Sequence, residues 1–192
     1  NAKRIYRLAR FRMHMNASFP SAIGFEMTTR CNSLCPMCVR RDGHHIPDSH
    51  LDFSLLEKSI AEIKNWPHKS YLINLTGLSE PTLYPRLVES VVYVKTHLPY
   101  CRVRVITNGI SLTPEISRGL ILAGLDELII SLNGVNNEDY RNLCGIDAYE
   151  TVSHHINKIL ELRGLLKGTS LRLNLNLKKH EGNCLLIQER IS

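Results

Sequence analysis

Between residues 22 and 177 the apolar residues switch repeatedly from a spacing of two to a spacing near 3.6. No other feature constrains the fold as strongly. A two-residue period suits a half-buried strand, and a 3.6-residue period suits an amphipathic helix. Five strands are predicted: "AIGFEM" (22–27), with Ile23, Phe25 and Met27 on one face, "YLINLT" (71–76), "RVRVIT" (102–107), "ELIISL" (127–132) and "SLRLNLNL" (170–177). Helical patterns fall between them. "DFSLLEKSIAEIKNWP" has Asp52 as its cap, a stripe of Leu56, Ile60 and Ile63, and Pro67 as its end. "YPRLVESVVYVKTHL" aligns Leu87, Val91 and Val94. "TPEISRGLILAG" is capped by Thr113, carries Pro114 at the first helical position and stops at Gly124. "AYETVSHHINKILELRG" is a fourth helix, and "NCLLIQERI" begins a fifth helical stretch.

Repeated βα units imply a parallel sheet with right-handed crossovers. The sheet is either open and doubly wound or curled into a barrel. Buried parallel strands usually read as near-continuous apolar runs, whereas several strands here alternate. Leu171, Leu173, Leu175 and Leu177 oppose Arg172, Asn174 and Asn176. Leu128, Ile130 and Leu132 oppose Ile129, Ser131 and Asn133, and Asn74 and Thr76 oppose Ile73 and Leu75. If the apolar faces take the helices, the polar ones line a wet lumen. The expected fold is therefore α/β: a partial (β/α) barrel of about five to six parallel βα units.

The 192 residues suit one domain, read as a basic N-terminal arm (1–21) and a core (22–192). Lys3, Arg4, Arg7, Arg10 and Arg12 supply much of the +6 charge, as a solvated arm or as a contact for an acidic partner or phosphate-bearing substrate. No aromatic stripe interleaves these charges, which argues against nucleic acid. No apolar run reaches the ~18 residues of a membrane span, and the N-terminus lacks the apolar centre of a secretory signal. A cytoplasmic protein with no membrane contact is expected.

Three of the six cysteines, Cys31, Cys35 and Cys38, stand within eight positions, while Cys101, Cys144 and Cys184 are scattered. In a reducing compartment, clustered thiols point to metal and isolated ones to small core residues. The triplet lies just past strand one, at the sheet edge where α/β chemistry gathers. Three thiolates cannot close a tetrahedral zinc site, although His44, His45 or His50 could add a fourth ligand. A [4Fe–4S] cluster, normally held by four cysteines, fits if one iron is left open to a substrate or cofactor.

The Cys31-x3-Cys35-x2-Cys38 spacing resembles the signature of the radical S-adenosylmethionine (radical SAM) superfamily. Other segments match in order. "TGLSEPTLYP" (76–85) resembles the family's Gly-x-Gly-Glu-Pro segment, with Ser79 at the second glycine. "ITNG" (106–109) ends strand three, and "ISLNGVNNEDYRNLCG" (130–145) resembles the strand-four segment, with Asn133 where aspartate is frequent. "LNLNLKKHEGN" resembles strand five and its turn. The resemblance covers residues ~22 to ~183.

The resemblance implies a radical SAM core whose metal ligands are Cys31, Cys35 and Cys38. It implies a [4Fe–4S] cluster that reductively cleaves S-adenosyl-L-methionine to a 5′-deoxyadenosyl radical, which abstracts hydrogen from a small-molecule or peptide substrate. Cofactor, natural-product or peptide-modification chemistry is expected. Candidate S-adenosylmethionine contacts are Met37, Gly77, Ser79, Glu80, Thr107, Ser131, Asn133 and Asn174. Among these, Met37 could equally fill a gap in the core, and Glu80 reads as a structural carboxylate that holds its turn. Arg141 reads as a solvated helix residue, and Arg104 and Arg172 as lumen groups able to meet an anion. A low-potential donor, flavodoxin or ferredoxin, is implied. The family core has six βα units and this chain supplies about five, so the core reads as C-terminally incomplete. Two other functions compete: an activase that makes a glycyl radical on a partner protein, and a non-catalytic zinc-binding module.

Overall fold

Each alternating segment forms a strand in the computed structural model, which describes residues 19–41, 46–67, 71–166 and 170–177. β1 (Ala22–Gly24), β2 (Leu72–Asn74), β3 (Arg102–Thr107), β4 (Glu127–Leu132) and β5 (Arg172–Leu177) lie side by side in that order, every pair parallel. This order decides between the two architectures. A doubly wound sheet reverses direction at a switch point. Without a reversal, right-handed crossovers put every helix on the same face. Among the described residues the opposite face carries no helix, as in a partial (β/α) barrel.

The helices are α1 (Phe53–Lys64), α2 (Leu87–His97), α3 (Pro114–Leu122), α4 (Asn137–Cys144) and α5 (Tyr149–Leu165). Asp52 caps α1 by accepting from the Ser54 N–H, and Thr113 caps α3 through the Ile116 N–H. α1 stops at Lys64, before Pro67 is reached. Gly124, at φ 78°, turns the chain after α3. Among the described residues no helix is long and apolar enough to cross a membrane.

Helix stripes and alternate strand residues make the core. Leu56, Ile60, Val91, Val94, Leu120, Val152 and Ile159 are buried with Ile73, Leu75, Val103, Val105, Leu128 and Ile130. Each such side chain contributes about 1.5–3 kcal/mol of burial. The helix-free face carries the polar alternates. Asn74, Arg104, Glu127 and Arg172 stand in one register row across β2 to β5. Arg104 Nε donates to Glu127 Oε2 at 2.6 Å, and Asn174 Nδ2 donates to Glu127 Oε1 at 2.8 Å. The guanidinium expected to meet an anionic substrate is therefore paired inside the chain.

Three boundaries differ from the pattern, each for a local reason. β1 ends at Gly24 because the chain then leaves the sheet. Phe25 still bonds to Asn74, but Thr28 forms an antiparallel bridge with His50. β2 ends at Asn74, beyond which Thr76 Oγ1 accepts from the Ile106 N–H at 2.8 Å and takes over the ladder with a side chain. α4 was not predicted, since only Tyr140 and Cys144 of its eight residues are buried. Its punctuation was legible: Asn136 caps the Asp139 N–H at 2.8 Å, and Gly145 ends the helix at φ 69°. The arm over residues 1–18, His44, His45, the Asn176 side chain and the helical stretch after residue 183 lie outside the described residues.

Candidate functional site

The loop bearing the three cysteines is tied at its base. Thr29 N–H donates to the Ser49 carbonyl and Leu51 N–H to the Met27 carbonyl, both at 2.9 Å. Thr29 Oγ1 accepts from Ser49 N–H at 2.7 Å. The loop thus leaves and rejoins the sheet at one point. Its interior is fixed from the loop after β3 and from the end of α4. Asn32 Nδ2 donates to Ser111 Oγ at 2.9 Å, and Asn108 Nδ2 donates to Asn32 Oδ1 at 2.8 Å. Leu34 N–H donates to the Cys144 carbonyl at 2.8 Å, joining the loop to the end of α4.

Cys31 is exposed, and Cys35 and Cys38 are half-buried. Among the described residues no three His, Cys, Asp or Glu side chains converge on a point that could hold a metal ion. The Cys35 sulfur is 3.1 Å from Ser33 Oγ, and the Cys144 thiol stands beside it. Burial pushes Cys31 above the ordinary thiol range, and the Ser33 N–H, with the Arg40 guanidinium behind it, draws it back. The chemistry of the set fits an iron–sulfur cluster: three thiols close together on one anchored loop. His50, the described candidate for a fourth zinc ligand, sits against the Tyr84 ring with centroids 5.7 Å apart.

The loop after β2 lies against the cysteine loop. Glu80 N–H donates to the Arg30 carbonyl at 2.9 Å, and Arg40 donates to Ser79 Oγ. Glu26, from the end of the first predicted strand, accepts from Leu78 N–H at 2.6 Å and Ser79 N–H at 3.2 Å. A Cβ at Gly77 would overlap the Glu26 carboxylate, so a side chain there would have to displace it. Glu80 is buried. Its Oε1 accepts from Thr82 N–H (3.0 Å), Thr82 Oγ1 (2.5 Å) and Thr107 Oγ1 (2.6 Å), and its Oε2 from Asn108 N–H (2.7 Å). Burial pushes this carboxyl above the ordinary range, and the four donors pull the other way. Glu80 therefore caps the turn at Pro81–Leu83 and ties it to the end of β3.

The remaining candidates separate. Met37 is exposed at the lip. Thr107 points to the helix-covered side with Val103 and Val105, engaged by Glu80. Ser131 is half-buried on the alternate row of β4, and Asn133 is buried with its Nδ2 3.6 Å from Cys144 Sγ. Asn174 lies in the row held by Glu127. Arg141 pairs with Asp147 at 2.9 Å in solvent. Sequence reasoning did not single out Glu26, Asn32 or Asn108, and it left Cys144 as a core thiol. Their partners stand far along the chain, so spacing carries no signal for them.

A cysteine triplet at the C-terminal edge of a helix-backed parallel sheet, next to a Gly-x-x-Glu-Pro turn, narrows the family sharply. The sequence profile of the Radical SAM superfamily matches residues 25–170. A "Probable GTP 3′,8-cyclase" of Saccharolobus islandicus (strain Y.N.15.51 / Yellowstone #2) is 33% identical over 141 residues, 71% of this chain and 42% of that protein. A "Tungsten-containing aldehyde ferredoxin oxidoreductase cofactor-modifying protein" of Pyrococcus furiosus is 30% identical over 108 residues, 56% of this chain and 29% of that protein. The chain thus spans well under half the length of these relatives. Streptococcus suis SuiB, in a crystal structure bound to S-adenosylmethionine, superposes with a TM-score of 0.64 at 16% identity, over 90% of this chain and 38% of that one. With its cysteine loop, its turn and its sheet all matched, the chain belongs to the radical SAM superfamily.

Proposed function

We propose that the chain is the catalytic core of a radical SAM enzyme acting on a small-molecule or peptide substrate, in cofactor, natural-product or peptide-modification chemistry. The observation that carries this reading is the joining of two loops at one sheet edge. The cysteine loop and the Gly77–Pro81 turn are hydrogen-bonded to each other through Glu80, Arg30, Ser79 and Arg40. Cys31, Cys35 and Cys38 would hold a [4Fe–4S] cluster, and the neighbouring turn would hold S-adenosylmethionine. When bound, this pair supplies the electron and the sulfonium from which a 5′-deoxyadenosyl radical arises.

The chain's own residues prepare the place. Glu26 and Glu80 tie up the backbone donors of residues 78, 79, 82 and 108, which gives the turn one shape before any ligand arrives. Preorganisation of this kind lowers the ordering cost of binding. Met37, Ser131, Asn133 and Asn174 are proposed as further contacts around the cofactor, Ser131 and Asn133 through hydroxyl and amide groups. The helix-free face would receive the substrate and shield the radical from water. Relatives named for a nucleotide cyclisation and for cofactor modification support this substrate range. A flavodoxin or ferredoxin would deliver the electron, and the net charge of +6 favours an acidic donor.

The test is anaerobic reconstitution with iron and sulfide, reduction, addition of S-adenosylmethionine and assay of 5′-deoxyadenosine. Turnover is expected, and Cys35→Ala is expected to abolish it. A colourless protein carrying stoichiometric zinc after the same treatment would refute the reading.

A further inference from the structure

Cys144 lies more than a hundred residues from the cysteine triplet and outside the proposed ligand set, yet the fold sets it beside the Cys35 loop. It ends α4, buried, with its sulfur beside the Cys35 thiol and 3.6 Å from Asn133 Nδ2. Its carbonyl accepts from Leu34 N–H at 2.8 Å and from Ser33 Oγ at 3.2 Å. Gly145 closes the contact from the other side, since a Cβ there would stand 2.5 Å from the Leu34 carbonyl oxygen. The Leu34 backbone bond and the Ser33 hydroxyl bond thus hold the Cys35 loop against the end of α4.

We propose that Cys35 and Cys144 are a reversible disulfide pair, formed in the cluster-free protein by a low-molecular-weight disulfide such as oxidised glutathione. Cys35, the half-buried partner, attacks first as its thiolate. One glutathione leaves as a thiol, and Cys35 carries the other as a mixed disulfide. Cys144 then attacks the Cys35 sulfur and displaces the second glutathione. Two protein thiols are oxidised, one small disulfide is reduced to two thiols, and the protons pass to those thiols. The bond withholds one of the three ligands, so the cluster can be loaded only after reduction. This consequence rests on the proposed ligand role of Cys35; the disulfide itself does not.

The experiment uses reduced, cluster-free protein incubated anaerobically with oxidised glutathione, digested without reductant and mapped by fragmentation mass spectrometry. The expected product is a Cys35–Cys144 linked peptide that dithiothreitol removes. A Cys35–Cys38 linkage, or mixed glutathione disulfides alone, overturns the proposal, and this readout needs no variant. Reconstitution is then compared. Oxidised protein is expected to lose most of its iron uptake and dithiothreitol to restore it, while Cys144→Ser is expected to stop at the Cys35–glutathione mixed disulfide. Equal uptake by oxidised and reduced protein refutes the consequence. Failure of the reduced protein to take up any cluster would instead sink the proposed function, and the peptide map would still judge the disulfide.

Discussion

Gly77→Ala tests how the two loops are held together. A methyl group there overlaps the Glu26 carboxylate. Gly77 is not among the glycines in the left-handed region, so alanine meets no backbone strain. The effect must therefore pass through Glu26, which gives up its bonds to Leu78 N–H at 2.6 Å and Ser79 N–H at 3.2 Å. Bonds to a charged group are worth about 1.5–3 kcal/mol each when shielded. Glu26 is exposed, and competition from water cuts the pair to about 1–2 kcal/mol. Glu26→Ala removes the same two bonds and should cost the same. The double variant should then cost no more than either single change, a coupling of about 1–2 kcal/mol. Urea unfolding of the reduced, cluster-free protein, followed by circular dichroism at constant m-value, measures all four corners of the cycle. In reconstituted protein, both single variants should weaken S-adenosylmethionine binding alike. Additive stability losses would show that the methyl acts elsewhere and that Glu26 does not clamp the turn.

Gly145→Ala places alanine at φ 69°, about 1–2 kcal/mol unfavourable, and presses its Cβ on a backbone oxygen that cannot rotate away. A loss of about 3 kcal/mol in urea unfolding, with reduced iron uptake, is expected; unchanged stability would mean that α4 does not brace the cysteine loop. Glu80→Ala strands the N–H groups of Thr82 and Asn108, at about 1–3 kcal/mol each. Glu80→Gln, which keeps one acceptor oxygen, should cost less, and the reverse ranking contradicts the bracing role. The Asp52 carboxyl is held below the ordinary carboxylate range by the Ser54 N–H and hydroxyl. Its stabilising effect is present above the unfolded pKa of about 3.9 and is lost as the pH falls through the lower folded value. The difference in urea midpoint between wild type and Asp52→Asn should therefore shrink below about pH 4; a constant difference would refute the cap's titration.

The expectation that Glu80 is structural agrees with its four donors and its buried carboxylate. Thr107 shows how a motif can be legible while a side chain's direction is not. It sits in "ITNG", yet two-residue alternation places it with Val103 and Val105 under the helices. Its neighbour Asn108 is the residue that reaches the cysteine loop. α4 escaped notice because a helix with two buried residues has almost no apolar period to read.

Periodicity, caps and cysteine spacing were enough to establish the βα order, most helix ends and the family resemblance. These signals are local: each depends on residues within a turn or two of one another. Tertiary structure alone decided the one-sided placement of helices, the pairing of Arg104 with Glu127, the bracing of the Gly77 turn by Glu26 and the meeting of Cys35 with Cys144. Each of these joins residues at least 23 positions apart, and such contacts exist only once packing has brought the strands and loops together.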